Sequence, residues 1–155
     1  MPVKTFYFLS IIFAALALAP AMAHALELMN KIGLSRDDYL TVQQIYNGWS
    51  MLGIVVFGAI LSTLVLTILV RHDRSKFTFA LLAFLCIVGT QVIFWTYTYP
   101  ANAATNNWTV LPDNWTLVRR QWEYSHTASA GLNLLALILL VLSVLTESDI
   151  KDLGG

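Results

Sequence analysis

Residues 51–70 read MLGIVVFGAILSTLVLTILV, with no charged side chain anywhere in the stretch. A helix needs about 20 apolar residues to cross the ~30 Å hydrocarbon core of a bilayer, so this segment has the length and character of a membrane span. The charged stretch Arg71-His72-Asp73-Arg74-Ser75-Lys76 closes it, and a second apolar run, Phe77–Tyr99, starts immediately afterwards. Two more runs complete the set, Phe6–Ala23 before and Ala128–Leu145 after. No stretch alternates apolar and polar residues at period two over a useful length, which argues against a β-barrel, and the chain carries no internal repeat or low-complexity segment. The expected fold is all-α: an integral membrane four-helix bundle forming one domain over residues 1–155, with helices at about 5–32, 36–71, 76–99 and 113–147.

Composition agrees. The chain is 57% hydrophobic and 12% charged, with mean hydropathy +0.67, whereas soluble domains carry about 25% charged residues. So few charges cannot cover a water-facing surface, and the lipid bilayer is the expected partner, with a homo-oligomer compatible. Formal net charge is zero, which leaves no basic face for phosphates and excludes nucleic acid. Cys86 is the single cysteine, so internal disulfides, Cys-rich zinc sites and iron–sulfur clusters are excluded, and its place in an apolar run reads as packing.

The first run has some features of a signal peptide: Lys4 ahead of it, and Ala21-Met22-Ala23 or Ala23-His24-Ala25 as a cleavage-like end. Its length, and a helical pattern continuing through Glu27 to Lys31 and stopping near Gly33, favour a retained helix with Pro20 as a kink. Lys4 and the basic 71–76 loop place both termini in the cytoplasm, including the tail Glu147–Gly155. The 100–112 region then faces outward, where Trp108, Trp115 and Trp122, with Tyr97 and Tyr99 at the edge, read as an interfacial aromatic belt. Ser35-Arg36-Asp37-Asp38 resembles a capping box, after which Tyr39, Val42, Tyr46 and Trp49 recur at helical spacing into the second span. Pro112-Asp113 starts a helix running unbroken into the last span, with Trp115, Arg119, Trp122, His126 and Asn133 on one stripe. These helical extensions and the aromatic-rich loop cap the outer side of the bundle.

Two pairs carry the chemistry. His24 and Glu27 on the first helix, and Glu123 and His126 on the last, are each spaced i, i+3 and share a helix face. Their order is reversed on oppositely directed helices, so both histidines lie deeper and both glutamates nearer the outer water. At 1.5 Å per residue, Phe6 to His24 and His126 to Leu145 span about 27 and about 28 Å, which puts the two imidazoles at one height. Ionisable groups at that depth are costly and face a bundle interior. One reading makes His24, Glu27, Glu123 and His126 the ligands of a mononuclear iron or other divalent metal. The second and third spans offer no buried carboxylate, so a di-iron site is not expected. A second reading makes the four a hydrogen-bonded network, with Arg119 pairing Glu123 at i+4, or acid–base groups working without metal. Haem ranks below the metal because no long apolar slot is evident. Gln91, Trp95 and Thr98 form a polar and aromatic stripe on the third span, able to line a pocket or to glue helices. Asn102, Asn106 and Asn107 could orient a substrate or make turns, their usual role, the sequons at Asn107 and Asn114 carry little weight, and His72 is solvated.

Taken together, His24-Ala-Leu-Glu27-Leu-Met-Asn30-Lys31, Tyr39 with Gln43, Gln44, Tyr46 and Trp49, Asn106-Asn107-Trp108, and Arg119-Arg120-Gln-Trp122-Glu123-Tyr-Ser-His126 resemble a large family of small membrane proteins. That family, long described as a domain of unknown function, includes the anthrone oxygenases of polyketide pathways. The resemblance spans about Ala15 to Leu145, and Trp-Glu-x-x-His is its most specific part. It implies a four-helix membrane bundle, oxygenation of an aromatic polyketide-type substrate, and functional roles for His24, Glu27, Arg119, Trp122, Glu123 and His126. The expectation is therefore a membrane oxidoreductase or oxygenase acting on a hydrophobic aromatic or quinone-like small molecule. His126, Glu123 and Arg119 would be catalytic, and Trp122, Gln91, Trp95 and Tyr46 would contact the substrate. The alternative is a non-catalytic membrane subunit or scaffold in which the His/Glu cluster is structural.

Overall fold

The computed structural model describes residues 2–146, and every regular element among them is helical. In chain order these are α1 (Pro2–Lys31), α2 (Arg36–Gln43), α3 (Gly53–Leu69), α4 (Arg74–Ile93), α5 (Tyr99–Ala104) and α6 (Trp115–Leu145), with single 3₁₀ turns at Gln44–Tyr46 and Trp49–Leu52 and a π turn at Phe94–Thr98. Four stretches are long and apolar enough to cross a membrane: Pro2–Lys31, Trp49–Leu69, Arg74–Ala104 and Trp115–Leu145. Only 22–28% of each apolar window is buried within the protein. Leucines and phenylalanines such as Phe8, Leu61 and Leu85 therefore point outward, as a lipid-covered surface requires. The expected tail Glu147–Gly155, and the last position of the expected fourth helix, lie outside the described residues.

α1 packs on α3 and α6, and α4 closes the ring by packing on the same two helices. Small residues make this closeness available: Ser10, Ala14, Ala17 and Ala21 form the buried face of α1, and Ala59 of α3, Ala80 and Ala83 of α4, and Ala136 of α6 are buried in the core with Ala14. Lipid tails are as apolar as leucine, so helices in a bilayer associate by such tight backbone approach. At one crossing the ring of Phe13 lies 2.6 Å from where a Cβ on Gly58 would be, which only glycine tolerates unless the ring moves. At the end holding the start of α1 and the end of α6, Tyr7 Oη and Ser143 Oγ are hydrogen-bonded at 2.8 Å, and Ser143 Oγ donates to the Lys76 carbonyl at 3.1 Å.

The opposite end is the cap. Ser35 starts α2 as expected, accepting from the Asp38 backbone N–H at 3.3 Å and donating to the Asp38 carboxylate at 2.6 Å. The expected unbroken helix over 36–71 does not form. Gly48 adopts φ +87°, and the chain passes through two 3₁₀ turns before α3 begins. The third span differs too, because α4 continues through the π turn into α5 as far as Ala104. Pro100 lacks an N–H and its ring clashes with the carbonyl four residues back in a regular α-helix. The wider π turn just before it relieves that conflict.

Between α5 and α6, Asn106, Asn107 and Trp108 all have positive φ, at 46°, 54° and 63°, a conformation costing roughly 1–2 kcal/mol per residue. It turns Trp108 inward, where it packs with Tyr39, Ala101, Leu111, Val118 and Trp122. Trp108 and Trp122 are therefore cap core and not members of an interfacial belt. Trp95, Tyr97 and Tyr99, each at least half exposed, occupy that position instead.

A side chain at Gly48 would be forced into a strained left-handed backbone. Gly48→Ala should lower unfolding stability in detergent by about 1–2 kcal/mol and shift Trp49 fluorescence, while Ser50→Ala, on the exposed surface, should change neither.

Candidate active site

The last two turns of α1 place His24, Glu27 and Lys31 at i, i+3 and i+7 on one face. Lys31 ends the helix, where the carbonyl-rich terminus favours a cation, and it is 3% exposed. Its Nζ lies 3.2 Å from Glu123 Oε1 and 3.3 Å from Glu27 Oε2, and donates to Tyr46 Oη at 2.8 Å. Tyr46 Oη in turn donates to Glu27 Oε2. The ammonium also stands 4.7 Å from the Tyr46 ring centre and 5.2 Å from that of Trp122. Glu123 is fully buried. Its Oε1 accepts a second bond from Tyr39 Oη at 2.9 Å, and Gln43 Nε2 donates to that hydroxyl at 2.7 Å.

Directly beside this charged cluster the two imidazoles meet, at the common height that the depth count gives. The His24 and His126 rings lie 4.2 Å apart, tilted by 31°. Around His24 stand Tyr46 at 4.4 Å, Trp122 at 4.9 Å and Trp49 at 5.5 Å, and Trp122 also packs on His126 at 4.3 Å. The break at Gly48 makes this wall, because it brings Tyr46 and Trp49 to the same imidazole. Trp122 is fixed from behind: its Nε1 donates to Asn102 Oδ1 at 2.8 Å, and the same oxygen accepts from Trp108 Nε1 at 3.1 Å. Asn102 thus ties the cap loop to the site and is more than a turn residue.

Other expected positions fall elsewhere. Arg119 does not pair Glu123, whose cation is Lys31. Its Nη1 donates to the Leu34 carbonyl at 2.8 Å, and its guanidinium lies over the faces of Trp115 and Tyr39, at 4.5 and 5.2 Å. Trp95 is 62% exposed and packs on Phe94 and Tyr99, while Gln91 donates to neighbouring Thr90 at 3.2 Å. Both make these contacts within their own stretch of helix. Lys31, Tyr39 and Trp49 belong to the site beyond the residues expected there, and Asn102 stands behind its wall. For Lys31 a signal existed in its i, i+4 spacing from Glu27.

The arrangement bears on metal binding directly. Among the described residues no three His, Cys, Asp or Glu side chains are grouped to hold one metal ion. The place between Glu27 and Glu123 where a cation would sit is taken by the Lys31 ammonium. His24 Nδ1 and Glu123 Oε2 are buried without a hydrogen-bond partner, but two such atoms do not make a protein ligand set of three. Nor do imidazoles in mutual contact leave room for a macrocycle between them. The residues present fit neither a mononuclear metal nor haem. Comparison with protein-family models, curated proteins and solved structures finds no match to this chain, so its chemistry is read from its own geometry.

Burial, reinforced by the Glu123 carboxylate beside Tyr39 and by the Glu27 hydrogen bond to Tyr46, raises both phenols well above the ordinary tyrosine value. The folded state holds them neutral while the unfolded chain ionises near pH 10. Stability from this source is therefore full below about pH 10 and falls as pH rises above it. Tyrosinate absorbance of the folded protein up to about pH 11 should be unchanged by Tyr39→Phe or by Tyr46→Phe; a reduced signal in either variant would show that its phenol ionises normally. Asn102→Leu should strand two buried indole N–H groups and lower unfolding stability by about 1–3 kcal/mol for each, measured by denaturation in detergent.

Proposed function

We propose that the chain is a membrane oxidoreductase of the oxygenase type, acting on a hydrophobic aromatic phenol or quinone-like molecule drawn from the bilayer. The observation that carries this reading is the pair of imidazoles in contact within a wall of Tyr46, Trp49 and Trp122, beside a fixed ammonium. An aromatic substrate stacks on such a wall. An imidazole accepts a proton from an acidic carbon of the substrate, and the Lys31 charge favours the anion formed. That carbanion gives its electrons to dioxygen. The net change is CH₂ + O₂ → C=O + H₂O, in which one oxygen atom stays as the carbonyl and the other leaves as water. In this reading Arg119 holds the cap and Lys31 takes the role of cation nearest the reacting centre. The sequence resemblance to anthrone oxygenases implies the same chemistry. With Lys4 and the 71–76 loop on the cytoplasmic side, both termini are cytoplasmic and the cap faces outward.

A second reading has its own observation. Lys31, Glu27, Tyr46, Glu123, Tyr39 and Gln43 bond to one another in a chain, which would lock α1, α2 and α6 together in a non-catalytic membrane subunit.

Dioxygen uptake by detergent-purified protein given an anthrone as probe separates the two. Wild type should consume oxygen and form the quinone. His126→Gln should lose about 10²–10⁴ in turnover at unchanged yield and unfolding midpoint. No uptake by wild type, together with poor yield of His24→Gln and His126→Gln, would instead establish the structural role.

A further inference from the structure

The two oxygens of Glu123 are treated unequally. Oε1 receives the Lys31 ammonium at 3.2 Å and the Tyr39 hydroxyl at 2.9 Å, while Oε2 is buried with no donor, in a side chain that is 0% exposed. An ionised carboxylate spreads its charge over both oxygens and needs donors at both; leaving one bare inside a low-dielectric site carries the full desolvation penalty. A carboxylic acid leaves a neutral hydroxyl there, which is still without a partner but costs far less to bury than a bare charged oxygen. The local charges agree. Lys31 is shared between two carboxylates, and Glu27 is the one 38% exposed and further bonded by Tyr46. Arg119, the other cation of the cluster, faces Tyr39, Trp115 and the Leu34 carbonyl and forms no ion pair among the described residues. His24 from α1 and His126 from α6 face each other beside it, and Tyr39 and Tyr46 complete the titratable set around it.

From this asymmetry we infer that Glu123 stands protonated on Oε2, with Lys31 balanced by Glu27, and that it is the acid of the site opposite the imidazole base. The inference deepens the oxygenase reading and rests on it for the acid's use, though not for the proton's presence. The imidazole takes the proton released from the substrate carbon. The carbanion carbon bonds dioxygen, and Glu123 gives its own proton to the outer oxygen of the peroxide so formed; loss of the carbon's second proton then breaks the O–O bond to leave the carbonyl, and that proton joins the departing hydroxide as water. The new Glu123 carboxylate is held by Lys31 and Tyr39, and the imidazolium returns a proton to it, so the site ends as it began. Glu27 sets the state of Glu123 through the ammonium they share and is a positioning residue.

Infrared spectroscopy of the full chain in lipid nanodiscs at neutral pH, without substrate, tests this. Wild type should show the carbonyl stretch of a protonated carboxylic acid, shifted in D₂O. Glu123→Gln should lack the band. So should Glu27→Gln, because Lys31 then has Glu123 as its sole counter-ion and draws it into the ionised state. Glu27 is partly exposed, so this second variant keeps the test decisive if Glu123→Gln folds poorly. Absence of the band in wild type, or its survival at full size in Glu27→Gln, would overturn the proposal. A missing band with dioxygen uptake intact removes the acid role of Glu123 alone; a band without uptake removes the oxygenase reading and leaves the stored proton standing.

Discussion

An ammonium buried almost completely at the mouth of a membrane bundle governs the rest of the structure. Taking Lys31 out of water costs several kcal/mol, and only close carboxylates with further hydrogen bonds offset it. Those partners come from three places in the chain. Glu27 lies on the same helix, Tyr46 follows α2, and Glu123 sits on α6. Satisfying one charge therefore fixes the cap to the bundle, and it does so through the helix break at Gly48, without which Tyr46 and Trp49 would spiral away from α1. Asn102 performs the corresponding service on the other side, where one carbonyl oxygen holds two indoles. The strained turn at Asn106–Trp108 is held in place by the same contact and by the burial of Trp108.

This division explains what could be read from the residues alone. The spans announce themselves because hydrocarbon thickness dictates a run length and a lack of charge, and the chain satisfies both four times. Counting 1.5 Å steps from either end was enough to bring His24 and His126 to one height. Continuity was harder to judge. Tyr39, Val42, Tyr46 and Trp49 keep a helical period through a segment that is not one helix, because the same aromatic residues suit a bent wall around His24. The stripe Gln91, Trp95, Thr98 assumed α-helical rotation, yet a π turn starts at Phe94. Beyond it Thr98 meets Ser125 in the interior while Trp95 faces outward. The partner of Glu123 is hidden in the sequence for a related reason: i, i+4 spacing brings Arg119 within reach, but reach does not decide between two cations. Arg119 finds planar aromatic faces and a free carbonyl at the end of the first helix, which suit a guanidinium, and the compact ammonium takes the carboxylates.

The choice of ammonium over metal ion shapes what chemistry the site can support. Two carboxylates and two imidazoles are a familiar set for a divalent cation, but here the position between the carboxylates is filled by an ammonium with no open coordination place. Such a centre cannot change oxidation state. What it can do is favour an anion beside it, and it does so without moving, since four contacts already hold it. A charge that needs no reorganisation as a substrate ionises is the kind that contributes most to a reaction. The aromatic wall supplies the complementary half: Trp122 and Tyr46 touch both the ammonium and His24, so a flat molecule stacked there would meet imidazole and ammonium together. The two halves are inseparable in the sequence as well, because Trp122 and Glu123 are neighbours on α6 and His24 and Lys31 lie two turns apart on α1. A substitution that rotates either helix would therefore disturb the wall and the charge at once.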